Sequence, residues 1–279
     1  MGRPEPAAVG VSVFVADGFI HHLKTFPWTW IGPTLTDRVL SNTSGILTAE
    51  EVREANSRAR LNLAIWTGVV SRFHTDPMIH VELFRGFFDT HLGYQIKEVV
   101  CQPLDQQQIH ATFHAGLFWL SEDGKYVDGR SQNIAELSGQ PFLVGGDREI
   151  ANRAFGSWFS GLLLTYTPPH LYFRPAEQRL LLAALSGVTD EELTEELGIS
   201  LSAVKKTWRV IHQRANRSWS NGSPEAGDGG GNRRRGKEKK QHLLSYLRKH
   251  MEELRPLLLP RKHASARDQK PIERIGAHC

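Results

Sequence analysis

Lys205, Lys206, Arg209 and Gln213 recur at intervals of one, three and four residues in the stretch "LSAVKKTWRVIHQRANR". A helix turns about 100° per residue, so these four side chains and Ser202 fall on one face. Lys and Arg bring positive charge and N–H donors, while Ser and Gln add neutral hydrogen-bonding groups. Such a face suits duplex DNA, because phosphates attract the cations and base edges accept from them. No carboxylate lies between Leu201 and Arg217, whereas "TDEELTEEL" just before it carries Asp190, Glu191, Glu192, Glu195 and Glu196. Complementing the helix dipole, acids early and bases late, accounts for Asp190 and Glu191. It does not account for Lys205, Lys206 and Arg209 sharing a face with Ser202. The candidate DNA contacts are Thr189, Ser200, Ser202, Lys205, Lys206, Thr207, Arg209, Gln213 and Arg214. The acids would repel phosphates, so Glu195 and Glu196 are expected to point away from DNA or toward the basic run Arg233–Lys240.

Other side chains offer weaker chemistry. His110 and His114 stand four apart, which can put two imidazoles on one helix face, with Cys101 or His91 as a third ligand. Ordinary partly buried histidines are the simpler reading, and no metal or cofactor is assigned. Cys101 sits in an apolar stretch, where a small core residue is expected rather than a redox thiol. The two Trp of "FPWTWIG" are expected to pack rather than to line a ligand pocket. There is no GxSxG, Walker, HExxH or GxGxxG motif, so no enzyme is expected.

The elements that must carry these residues follow from pattern. Residues 1–46 are rich in Pro, Gly, Thr and Trp without a sustained period and read as irregular. Thr48 and Glu51 form a capping box. Val52, Ala55, Ala59, Leu63, Trp66 and Val70 then predict one helix. A second helix is expected after Asp76 and Pro77, with Ile79, Leu83, Phe84, Phe87 and Phe88 buried and Gly93 at its exit. "YQIKEVVCQ" alternates like a strand. "DQQQIHATFHAGLFWLSEDGKYV" reads either as a helix capped by Asp105 followed by a strand, or as a hairpin. Asp147 opens a further helix with Ile150, Ala154, Phe155, Trp158 and Leu162 inward. Pro168-Pro169 ends it. Three short helices follow from Pro175, with Leu193, Leu197 and Ile199, then Ala203 or Val204, and Trp208 or Ile211, as their shared core. "NGSPEAGDGGGN" is too poor in apolar residues to be anything but a linker. Leu243, Leu244, Leu247, Met251 and Leu254 then mark a last helix, which either docks on that core or pairs with its copy.

The 279 residues suffice for one large domain or two modest ones. A pI near 9.1 permits a polyanionic partner. Two cysteines, Cys101 and Cys279, make no disulfide framework, so a reducing cytoplasm is expected. No apolar run approaches the ~20 residues of a membrane span.

The segment "FRPAEQRLLLAALSGVTDEELTEELGISLSAVKKTWRVIHQR" resembles the LuxR/NarL-type helix-turn-helix of bacterial transcription regulators. The likeness rests on Pro175, Glu177, Leu181, Gly187, Glu192, Leu193, Leu197-Gly198-Ile199-Ser200, Val204-Lys205 and Ile211. It spans roughly 45 residues, about a sixth of the chain. The resemblance implies a motif from Thr189 to Trp208 whose second helix enters the major groove, and a protein that binds double-stranded DNA as a homodimer. Ala203 and Thr207 stand where the family commonly has Thr and often His. The first helix is more acidic than usual, and a Gly-rich linker separates the family's fourth helix from the third.

The fold class expected is α+β. An irregular segment, 1–46, precedes a mixed α/β sensor or regulatory domain, 47–167. A small all-α helix-turn-helix domain occupies 170–218. A basic Gly-rich linker, 219–236, leads to a C-terminal helix, 237–258, and a loose tail, 259–279. The function expected is transcription regulation, with RNA polymerase and an unknown small-molecule signal as further partners. The alternatives are a sigma-factor-like module, or a ligand- or metal-binding protein whose helix-turn-helix serves protein contacts.

Overall fold

A computed structural model describes residues 7–26, 28–43, 45–70, 78–121, 124–129, 141–153, 158–220 and 236–259. The protein is of the mixed α+β class. It divides into two compact units, Met1–Pro168 and Pro169–Cys279.

Unit 1 begins with β1 (Ala8–Val15), α1 (Asp17–Thr25), α2 (Ile31–Leu40) and α3 (Ala49–Ser57). There follow β2 (Leu61–Val70), α4 (Met78–His91), β3 (Ile96–Cys101) and α5 (Gln106–His114). It closes with β4 (Phe118–Leu120), β5 (Tyr126–Val127), β6 (Val144–Asp147), α6 (Arg148–Arg153) and α7 (Trp158–Leu164). The strands form one six-stranded sheet in the order β1-β2-β3-β6-β4-β5. Only β2 and β3 run parallel, with α4 crossing between them. Side chains alternate across a strand, so each strand feeds two cores. Leu63, Val99, Cys101 and Val144 meet Ile109 and Phe113 of α5 and Leu163 and Leu164 of α7. Ala64, Val100 and Leu120 meet Phe19, Ile20 and Leu23 of α1 and Ile31 and Leu35 of α2. Buried Glu98 is satisfied where it stands: the Tyr126 hydroxyl donates to its Oε1 at 2.6 Å, and Lys24 Nζ lies 2.5 Å from the same oxygen.

Several expectations are corrected in this unit. The described part of 1–46 is not irregular, for β1, α1 and α2 lie there and supply much of one core. The single helix from Thr48 to Val70 is instead α3 and β2. Thr48 does cap α3 with Glu51, accepting from its backbone N–H while the Thr48 N–H donates to Glu51 Oε2 at 2.8 Å. Ala59 then takes φ +57°, and the Arg60 N–H donates to Ala55 O at 2.9 Å. That is a Schellman closure, usually announced by Gly, and here its left-handed residue is Ala. On α4, Phe84 is exposed, and Phe87 and Phe88 are half-buried. Asp105 does cap α5, accepting from Gln108 N at 2.8 Å, and β4 with β5 forms a hairpin beyond it. Asp147 ends β6 and caps α6, accepting from Ile150 N at 2.9 Å. Leu162 of α7 is exposed, and Leu163 and Leu164 are the buried pair. Asp76, Pro77, Ala154 and Phe155 lie outside the described residues, as does the Trp158 side chain.

Unit 2 holds α8 (Pro175–Ala184), α9 (Asp190–Leu197), α10 (Leu201–Ser220), α11 (Gly236–Lys249) and a 3-10 turn (Met251–Leu254). Leu181, Leu193, Val204, Ile211, Leu243 and Leu247 are all fully buried in one core. Of the two roles held open for the last helix, packing on this core is the one observed. Three boundaries move. The helix α10 is long and runs through Ser220, two residues into the expected linker, and α11 starts at Gly236, that linker's last residue. Residues 221–235, the body of the linker, and 260–279, almost all of the tail, lie outside the described residues. The expected helix over 237–258 stops at Lys249, and His250 with φ −128° turns the chain into the 3-10 segment.

Candidate nucleic-acid interface

The unit is assembled from helix ends upward. Thr189 caps α9: its hydroxyl accepts from Glu192 N at 3.2 Å, and its own N–H donates to Glu192 Oε2 at 2.7 Å. Those bonds hold the Glu192 carboxyl below its usual range. Gly198 ends α9 at φ +62°, ψ +35°, the left-handed region that costs glycine least. Ile199 does not plug the turn as expected. It is 37% exposed, and its contribution is an N–H that donates to Thr194 O at 3.2 Å. The Ser200 hydroxyl accepts from Ala203 N at 3.2 Å at the start of α10.

From there α10 shows two faces. Val204, Trp208, Ile211 and Ala215 are buried. Ser202, Lys205, Lys206, Arg209 and Gln213 are exposed together on the opposite side, with Arg217 one turn further along. The other candidates are engaged elsewhere. The Thr189 and Ser200 hydroxyls serve as caps, and the Thr207 hydroxyl donates to Ala203 O at 2.9 Å within its own helix. Arg214 turns inward to Glu177, its Nε 3.2 Å from Oε2, with side chains 18% and 6% exposed. Glu191, Glu192, Glu195 and Glu196 are exposed along α9. Asp190 meets the start of α11, where Lys240 Nζ donates to its Oδ1 at 2.9 Å. Arg233, Arg234 and Arg235 lie outside the described residues.

Two supports of this face were not visible in the sequence. Lys240 lies over the Trp208 ring, 4.7 Å from its centroid, and the ring of His212 stacks on that indole at 5.7 Å. Burial, then Lys239 and Lys240, holds His212 below its usual value, so its surroundings favour the uncharged imidazole. Glu253, fully buried, fastens the 3-10 turn to the start of the unit. His170 N and Leu171 N donate to its two oxygens at 2.8 and 2.9 Å, and the Tyr246 hydroxyl donates at 3.0 Å. Burial raises its carboxyl despite those bonds. The Gln178 amide adds donations to Glu253 O and Arg255 O. The spacing of the acids around Leu254 gives no sign of this.

Among its described residues, unit 1 brings His110 and His114 together but supplies no third ligand to them. His110 and His114 stack at 6.3 Å and are both exposed, not partly buried. His91 is buried between Ser12, whose hydroxyl is 2.9 Å from Nε2, and Phe87 O, 2.7 Å from Nδ1. Burial pushes the Cys101 thiol up to about 12, as a core position requires. Among the described residues no three His, Cys, Asp or Glu are placed to hold a metal ion. Trp28 is 65% exposed, against the packing expected of it. Among the described residues no helix is long and apolar enough to cross a membrane. No protein-family model, curated protein or solved structure matches this chain.

Proposed function

We propose that this protein is a bacterial, cytoplasmic, non-enzymatic transcription regulator whose second unit grips double-stranded DNA with α10. One observation carries the reading: Ser202, Lys205, Lys206, Arg209 and Gln213 are exposed as one strip, directly opposite the buried Val204, Trp208, Ile211 and Ala215. The helix bears five cations and no carboxylate. A solvated helix face gains from mixed signs, whereas a phosphate-facing one gains from a single sign. Ser200 and Gly198 set the short turn that lets such a helix protrude from a packed pair. Thr189, Ser200, Thr207 and Arg214 hold the reading helix in place rather than touch DNA. Unit 1 regulates, and RNA polymerase and a small-molecule signal are its further partners in this reading. Electrophoretic shift with random-sequence duplex over a salt series tests it. Absence of any salt-dependent shift by the full chain defeats it.

A further inference from the structure

We infer that a second copy of this chain adds to the sheet of unit 1 along β1, with the exposed side of α4 closing the contact. Among the described residues, β1 lies at the sheet edge and pairs with β2 alone. Its far end is covered, because the Leu47 N–H donates to Phe14 O at 2.9 Å and Ile46 bridges Val15. The register shifts between Val11 and Ser12, so the straight, open stretch is Ala8–Val11. An open edge is normally blunted by charge, proline or brevity. The opposite edge has that protection: β5 is two residues long, between Lys125 and Asp128. The sequence of β1, "AVGVSVFV", has none of it.

A shelf of apolar side chains accompanies the open stretch. A Cβ at Gly10 would lie 3.2 Å from Leu83 Cδ1, which places α4 directly over this end of β1. Val9, Val81 and Phe84 are 49%, 52% and 47% exposed. Charge selects the occupant. Antiparallel pairing of β1 with its own copy about a two-fold axis sets a neutral segment against a neutral segment, so no like charges meet. The rim of α4 carries both signs in Glu82 and Arg85, whose contact within the helix is long at 3.8 Å. A two-fold axis lets Glu82 of one copy face Arg85 of the other. A strongly charged partner finds no complement here.

Sedimentation velocity of the full chain over a concentration series tests the pairing. The wild type is expected to pass from monomer to dimer. Val9→Lys and Phe84→Glu should each raise the dimer dissociation constant about tenfold or more with circular dichroism unchanged. Should either variant lose its fold, Val81→Glu, at a more exposed position, replaces it. Lys205→Ala with Lys206→Ala lies in unit 2 and should leave the dimer intact, which separates this inference from the DNA reading. A wild type that stays monomeric, forms open-ended oligomers, or remains equally dimeric in folded variants overturns it.

Discussion

The indole Nε1 of Trp208 donates to Asp190 Oδ1 at 3.2 Å, and Lys240 Nζ donates to the same oxygen at 2.9 Å. One carboxylate at the start of α9 therefore joins α10 to α11. The ring itself is buried, so its packing outweighs its hydrogen bond. Trp208→Ala should cost ~3–5 kcal/mol through the cavity it leaves. Asp190→Ala should cost about 1 kcal/mol, the net worth of an ordinary hydrogen bond, since Lys240 can still reach water. Thermal melts rank the two. Equal losses would mean that the polar tie, and not the ring, organises the three helices.

Lys205 and Lys206 sit within the first two turns of α10 and are exposed. Lys205→Ala with Lys206→Ala should weaken binding to any duplex. If both contact phosphates, the slope of log affinity against log salt should flatten by about two, roughly one unit for each. Shift assays over a salt series measure both quantities, with circular dichroism confirming the fold. Unchanged slope and affinity place the DNA-gripping face elsewhere.

Glu253 supplies a pH test. Burial raises its carboxyl, so the folded unit holds this proton more tightly than the unfolded chain does. Its contribution to stability is thus greatest in acid and is lost as pH rises from the ordinary carboxylate range through the raised value. In melts across that window, wild type minus Glu253→Gln should show a stability difference that falls with pH. A flat difference would mean that the three donated hydrogen bonds offset burial, and a difference that rises with pH that they outweigh it.

Unit 2 was more legible than unit 1, for physical reasons. Its helix starts are written in local chemistry: Thr189 with Glu192, Gly198 at positive φ and Ser200 each act within four residues. Its buried stripe repeats at helical spacing because one face of α10 meets one core. One error there came from a long-range effect. Arg214 and Gln213 look alike in sequence, yet Glu177, distant in the chain, draws Arg214 inward. In unit 1 the stretch Val52 to Val70 satisfied a helical period by coincidence. Nothing in "SRAR" marks the left-handed Ala59 that ends α3, and a two-sided strand such as β2 lacks the polar alternation that would betray it. The strand β1 was lost among glycine and proline for want of any local signal that it pairs with β2.

Arg209 and Arg214 make opposite predictions from one helix. Arg209 is exposed beside Lys205, Lys206 and Gln213, and its guanidinium can grip guanine O6 and N7 together, discriminating by ~1–3 kcal/mol. Arg214 is held against Glu177, itself 6% exposed, so removing it leaves a buried carboxylate without this cation, though Glu177 Oε2 still accepts from Arg174 N at 2.9 Å. Arg209→Ala should melt like the wild type and relax the base preference at one or two positions. Arg214→Ala should cost about 3 kcal/mol of stability while the surviving folded fraction keeps the same preference. The double variant Arg214→Leu with Glu177→Leu should recover part of that loss, because the buried charge is gone, although the Arg174 N–H loses its acceptor. Selection of bound oligonucleotides from a random pool, run beside thermal melts, reads both properties. If Arg214→Ala melts normally and changes the selected sequence while Arg209→Ala changes nothing, then Arg214 leaves Glu177 on binding DNA, and the reading face of α10 is rotated about its axis from the one assigned to it.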